Sequence, residues 1–329
     1  MEWFLEADSV GHKLALMVLA IVLFAAVMAV ILFAVDRPKR VPQWVVVLGF
    51  LGPPLLLLAV GLVYPGIRTF FSSFQNNNGS AFIGLDNYVT IFSESNFRLV
   101  LRNTVLWVLV APVVATLIGL VYAVLVDRTR FENLAKALVF LPMAISMVGA
   151  SIIWRFVYEF RPDQPGIAQI GLLNQLLVLL GGSPQQFLLT RPWNTLFLIV
   201  VMIWINAGFA MTILSAAIKA IPDDIIEAAR LDGVSGLAMF RYVTVPSIRP
   251  ALVVVLTTIS IGALKTFDIV RTMTGGQFGT SIIANEFYTQ SFSQFNQGLG
   301  AALAVVLFIL VTPIIVYNVR QLRLSEEIR

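Results

Sequence analysis

Few side chains in this chain are suited to chemistry, and their spacing argues against a catalyst. Cysteine is absent, which excludes disulfides, thiolate metal sites and cysteine nucleophiles. A single histidine, His12, leaves no imidazole pair for a metal or a nucleophile–base relay. No Gly-x-x-x-x-Gly-Lys-[Ser/Thr] run occurs, nor any Gly-Lys dipeptide, so the chain has no phosphate-cradling loop of its own. Lys265 and Asp268 stand three apart and could pair on one helix, or serve an ion relay. Asp223, Asp224 and Glu227 form an acidic group in the polar stretch 219–250, KAIPDDIIEAARLDGVSGLAMFRYVTVPSIRP. Their position at a helix start suits the positive end of a helix dipole rather than proton transfer.

The elements that must hold these residues are membrane spans. The chain has 329 residues, 58% hydrophobic and only 12% charged, about half the charge of an ordinary soluble domain. The fold class is therefore all-α, a polytopic membrane protein with about seven transmembrane helices. Residues 14–35 form a run of 22 without a charge, enough at about 1.5 Å per residue to cross roughly 30 Å of hydrocarbon. Acidic Glu2, Glu6 and Asp8 precede it and basic Arg37, Lys39 and Arg40 follow it, the reverse of a secretory signal, so the span is retained. Further spans are expected at 44–64, broken at Gly52-Pro53-Pro54, and at 103–126, 137–154, 193–218 and 298–319. The run 251–264 is too short alone and must recruit residues on both sides, including Lys265 and Asp268. Residues 166–182 are apolar but interrupted by Gln169, Asn174 and Gln175; a crossing there would put the basic loop 219–250 and the tail outside, so they read as an interfacial or folded-back helix on the outer side.

Charge sets the orientation. With the N-terminus outside and the C-terminus in the cytoplasm, 13 of the 22 Lys and Arg fall in the inner loops and tail, as the positive-inside bias requires. Basic residues scattered between spans give no nucleic-acid surface. The division expected is 1–43, an extra N-terminal transmembrane helix with a basic cytoplasmic loop, and 44–329, a transmembrane transport domain.

On this topology 219–250 faces the cytoplasm. Pro222 suits a first helical turn, Gly233 a left-handed C-cap, and Ser235 the N-cap of a second helix closed by Pro246 and Pro250. Glu227-Ala228-Ala229, three residues, Gly233, and a run ending Val243-Thr244-Val245-Pro246 resemble the EAA loop of binding-protein-dependent ABC importer permeases. The likeness extends from about Trp44 onward, is nearest the maltose-type carbohydrate branch, and is similar to the α-glucoside permeases. Phe82-Ile83-Gly84-Leu85-Asp86-Asn87-Tyr88 and 264–276 carry it further, and Phe278-Gly279-Thr280 with the C-terminal segment carries the α-glucoside likeness; Gln277 stands where many such permeases have Pro. The resemblance implies the maltose-type permease fold and a coupling role for Glu227, Ala228, Ala229, Asp232, Gly233, Leu237, Met239, Phe240 and Pro246 in a cleft of an ATPase. Leu237, Met239 and Phe240 would supply apolar anchors. It also implies a second, related permease as heterodimer partner, two copies of the ATPase carrying ATP and Mg, and an extracytoplasmic solute-binding protein. No cofactor or metal is expected on this chain, and no enzymatic activity. The setting implied is a bacterial or archaeal plasma membrane.

A sugar path needs amides, hydroxyls and aromatic faces turned from lipid. Candidates are Ser146, Ser151 and Trp154 in the fourth span, Trp204, Asn206 and Phe209 in the fifth, and Thr266 and Phe267 in the sixth. Each has a plainer reading as an interhelical bond or an interface anchor. Two rival functions remain. A self-contained, ion-coupled secondary transporter would need Lys265 and Asp268 as its ion site. An intramembrane enzyme has no cysteine, usable histidine or clustered carboxylates to work with.

Overall fold

The computed structural model describes residues 10–327 except 36–41, 128, 163, 165 and 167. Glu2, Glu6, Asp8, Arg37, Lys39, Arg40, Arg128, Asp163 and Arg329 lie outside the described residues. The chain is all-α. Only an isolated bridge between Gln75 and Phe82 interrupts this among the described residues. The helices are α1 (Val10–Val35), α2 (Gln43–Leu58), α3 (Tyr64–Ser72), α4 (Asp86–Ser93), α5 (Ser95–Val126), α6 (Glu132–Phe140), α7 (Met147–Val157) and α8 (Leu172–Leu179). They continue as α9 (Trp193–Lys219), α10 (Asp223–Leu231), α11 (Gly236–Met239), α12 (Val245–Ser247), α13 (Arg249–Leu264), α14 (Asp268–Met273), α15 (Ile283–Tyr288) and α16 (Gln297–Glu327). Five helices are long and apolar enough to cross a membrane, and two bent pairs bring the number to seven when each is one span.

Two compact units divide at Arg68/Thr69. In the first, α2 runs through Pro53 and Pro54 without the break expected there, and the irregularity comes later, as a π turn at Ala59–Val63. A second π turn spans Phe240–Thr244 in the other unit. Each ends two residues before a proline, Pro65 and Pro246. A proline cannot donate to the carbonyl four residues back and its ring crowds that carbonyl, so one wider turn absorbs the misfit.

The second unit is built on α5 and α9. Trp107, Ala111, Ala115, Gly119 and Ala123 recur every fourth residue along one buried stripe of α5. Small residues there let the two backbones touch: a Cβ on Gly119 would stand 2.5 Å from the Ala210 Cβ and 2.6 Å from the Met211 nitrogen. Leu198, Met202, Met211 and Leu214 of α9 and Val255 and Ile259 of α13 complete the core.

Three expectations are corrected. The span at 137–154 is not one helix: α6 continues into a 3-10 turn, Leu141–Ala144, and α7 departs at 101° after a break at Ile145-Ser146. Pro142 in that turn removes a backbone donor, and Ser146 restarts the helix by accepting the Gly149 N–H at 3.1 Å. Secondly, α13 stops at Leu264, with Lys265 as its C-cap and a new helix from Asp268. Lys265 and Asp268 thus share no helix, and no ion pair joins them; Asp268 instead sits in the first turn of α14, where the dipole favours a negative charge. Thirdly, Gly52-Pro53-Pro54 does not interrupt α2. Among the described residues of 166–182 only α8 is helical, and its eight residues rise about 12 Å, far less than a bilayer core. Buried Asn174 pins it, donating to the Glu159 and Gln185 carbonyls and accepting the Gln185 N–H.

Candidate functional site

The 219–250 segment is a rigid knuckle hung from two core residues. Ile221 packs against the core where the segment leaves α9, and Ile248, 1% exposed, is sunk into it where α13 begins. At the α9 end Lys219 pairs with Glu132 and lies 3.8 Å from Asp127, while Lys136 reaches Glu132 at 2.6 Å and the Ser215 hydroxyl at 2.5 Å. Between the anchors no residue of α10, α11, the π turn or α12 is buried.

Pro222 is the N-cap of α10 in extended conformation, one position before the first turn expected for it. Asp223 and Asp224 occupy that turn, and Glu227, Ala228 and Arg230 are exposed. Gly233 closes the helix with φ +81°. Its N–H donates to the Arg230 carbonyl at 3.0 Å, and the Val234 N–H reaches back to the Ala229 carbonyl at 2.9 Å. These two bonds are the Schellman arrangement, which satisfies carbonyls that α10 would otherwise leave open. Ser235 stands at the N-cap of α11 as expected, but its hydroxyl makes no capping bond. Pro246 lies inside the following helical run, after the π turn, and a 69° bend then separates that run from α13.

The apolar anchors are redistributed. Leu237 is 81% exposed, whereas Met239 and Phe240 are half-buried. Leu231, 89% exposed, and Tyr242, 68% exposed, take their place at the surface. The signal for Leu231 was its position immediately before Asp232-Gly233, where a helix ends and an apolar side chain has no turn left to cover it.

Of the path candidates, Trp154 and Trp204 come together edge to face at 5.7 Å, and Tyr158, missed in the sequence, joins Trp154 at 5.2 Å. Asn206 and Thr266 meet around Met202: the Asn206 amide donates to its carbonyl at 2.9 Å, and the Thr266 hydroxyl lies 3.5 Å from its sulfur. Phe209 packs on the core beside them. Ser146 caps α7 and Ser151 donates to the Met147 carbonyl at 2.6 Å, so both hydroxyls are satisfied within their own helix. Phe267 belongs to another aromatic group, 5.0 Å from Tyr288, over which Arg271 stands at 4.8 Å.

Long apolar helices joined to an exposed knuckle fixed at both roots define a polytopic membrane subunit built to engage another chain. The family model for the binding-protein-dependent transport system inner membrane component matches residues 91–323, and the chain belongs to that family. It is thus a permease component, a transport subunit and not an enzyme. The chain is 44% identical over 280 residues to the osmoprotective compounds uptake permease protein GgtC of Synechocystis sp., covering 85% of this chain and 100% of that protein. It is 46% identical over 272 residues to the alpha-glucoside transport system permease protein AglF of Rhizobium meliloti, covering 82% and 80%. Among solved structures, a bacterial ABC transporter that imports the acidic polysaccharide alginate has a chain superposing with TM-score 0.72 at 20% identity, covering 84% of this chain and 94% of that one.

Proposed function

We propose that this permease carries a sugar, an oligosaccharide such as an α-glucoside, across a bacterial or archaeal plasma membrane as one half of a heterodimer with a related permease. Two copies of an ABC ATPase, which bind ATP and Mg, engage the pair from the cytoplasm, and a solute-binding protein delivers the sugar from outside. The observation that carries the coupling is the knuckle at 219–250, with Leu231 and Leu237 exposed beside a Schellman-locked turn and both roots fixed in the bundle. An element of that kind transmits force only if it is rigid and its apolar tips are covered by a partner. The relatives named for alpha-glucosides and osmoprotective compounds support the substrate class. Basic residues concentrated in the loops on the knuckle's side support an outer N-terminus and a cytoplasmic C-terminus.

Transport then proceeds by alternating access. The chain makes no covalent bond, and its residues act by touching solute and ATPase differently in the outward and inward states. Trp154, Trp204 and Asn206 are the span residues we assign to the path. Against the ion-coupled alternative, Lys265 and Asp268 lie on separate elements with no ion pair between them. Reconstitution of the full complex tests the reading: sugar uptake should stop without ATP and survive an ionophore. Uptake that persists without ATP and collapses with the ionophore rejects it.

A further inference from the structure

At the end of the bundle opposite the knuckle lies a polar cleft of about 640 Å³. Arg191 on its wall precedes α9, which delivers the knuckle 27 residues later, about 40 Å away by helical rise. The cleft therefore opens on the other side of the membrane from the ATPase contact, remote from the aromatic pair within the spans. Its volume lies in the range that takes a small ligand, roughly 300–1,000 Å³.

Two features show that the cleft is built rather than left over. Phe278 and Phe295 are the only non-glycine residues with positive φ among the described residues, at 57° and 56°. Phe278 lines the cleft, and Phe295 lies between its lining residues Gln294 and Asn296. Both rings are exposed, so burial does not compensate the backbone cost. Strain of this kind persists where surroundings over-determine it and gathers at ligand sites. Here the surroundings are explicit: the Phe278 carbonyl accepts from Arg191 Nε at 2.7 Å and from buried Asn194 Nδ2 at 2.9 Å. Asn103 Nδ2 holds the Gly279 and Ser281 carbonyls at 2.7 and 3.0 Å.

The second feature is a pre-oriented carboxylate. Glu286 accepts the Ser281 hydroxyl at 3.0 Å on one oxygen and Gln290 Nε2 at 2.8 Å on the other. Gln290 is only 5% exposed yet lines the cleft, and its amide oxygen takes no bond from any described residue. A fixed carboxylate, amides that both donate and accept, and an aromatic face suit hydroxyls and the C–H surface of a sugar ring. The charge disfavours anions: two carboxylates, Glu94 and Glu286, line the cleft against one guanidinium, Arg191, whose Nε is already committed.

We propose that this cleft is a binding site for a neutral polyhydroxylated solute, with Phe278 as the stacking platform and Glu286 and Gln290 as hydroxyl partners. The proposal rests on the reading of the chain as a sugar permease and adds an entry site that selects against acidic sugars. The test uses the assembled transporter in lipid nanodiscs without ATP. Saturation-transfer NMR would follow maltose, trehalose and sucrose as neutral probes and digalacturonate as the acidic one. At least one neutral probe should bind and digalacturonate should bind at least about tenfold more weakly, a gap of about 1.4 kcal/mol. Phe278→Asn, which tolerates the left-handed backbone, and Glu286→Gln should each weaken the neutral probe about tenfold while the complex stays assembled. Binding unchanged in both variants, equal binding of the acidic probe, or no binding of any neutral probe overturns the proposal. A Phe278→Asn effect on affinity for the solute-binding protein alone also overturns it, making the cleft a docking surface. ATP-driven sugar uptake by both variants at the native rate sinks the cleft but leaves the importer reading standing; absence of such uptake in the native complex sinks that reading itself.

Discussion

Gly233 offers a clean separation of backbone from packing. Its φ is +81°, and a Cβ placed on it would meet nothing within 4 Å. A substitution there costs only what an L-residue must spend to adopt the left-handed conformation, about 1–2 kcal/mol, and more for a β-branched side chain. That is a factor of about 5–30 in the ratio of the native turn to its alternatives. Two bonds go with it, Gly233 N–H to Arg230 and Val234 N–H to Ala229, and with them the relative placement of Leu231 and Leu237. Since nothing from α10 to α12 is buried, the bundle itself should not notice. The expected outcome for Gly233→Val is a measurable loss of ATP-dependent uptake in proteoliposomes, at most about 5–30-fold, with the melting temperature of the permease pair unchanged. Gly233→Asn should retain most activity, because Asn visits this region readily. If Asn is as harmful as Val, side-chain volume and not backbone conformation is at work. If Val transports at the native rate, the turn has no part in coupling.

Other outcomes follow from the same geometry. Glu227→Lys reverses an exposed charge in the middle of α10, past its first turn, and should reduce the ATPase retained on co-purification while the melting temperature of the permease pair stays unchanged. Gly119→Val forces a branched side chain against the Ala210 Cβ and the Met211 backbone and should lower thermal stability by about 1–3 kcal/mol, read by heating the purified pair. Ile248→Ala removes the core anchor of the knuckle; about 2–5 kcal/mol should be lost, and proteolysis at 219–250 should accelerate.

Hydropathy made the spans legible, and turn chemistry made the knuckle legible, because both are local signals. Gly233 next to an acidic, helix-favouring run specifies its own conformation. The break at Ile145-Ser146 was hidden because both halves are apolar, and hydropathy carries no direction. Lys265 misled for a related reason: charge was treated as a passenger on a long helix when the chain was ending one. Ser146 and Ser151 drew attention as polar groups among apolar ones, yet short hydroxyl side chains find backbone partners within a turn or two of their own helix. The outer cleft had no sequence signature, since Glu94, Arg191, Phe278, Glu286 and Gln290 share no spacing. Asn103 and Asn194, which hold its strained turn, lie at the starts of apolar spans, and nothing in their spacing links them to Phe278.

Among the three long helices of the second unit, α5 contains Pro112 and α16 contains Pro313, while α9 has no proline along its 27 residues. Its first turn carries Asn194, which grips Phe278, and its last residue is Lys219, bound to Glu132. A bar about 40 Å long that cannot flex at a proline behaves as a lever: a tilt of roughly 5° at one tip displaces the other by about 3.5 Å. Such a stroke is comparable with the one-to-two-ångström helix shifts, and the one-turn jumps of about 5.4 Å, by which packed helices are known to switch. Mechanical work done at the knuckle would thus arrive at the far mouth undiminished, with stiffness rather than any wired sequence of contacts as the carrier.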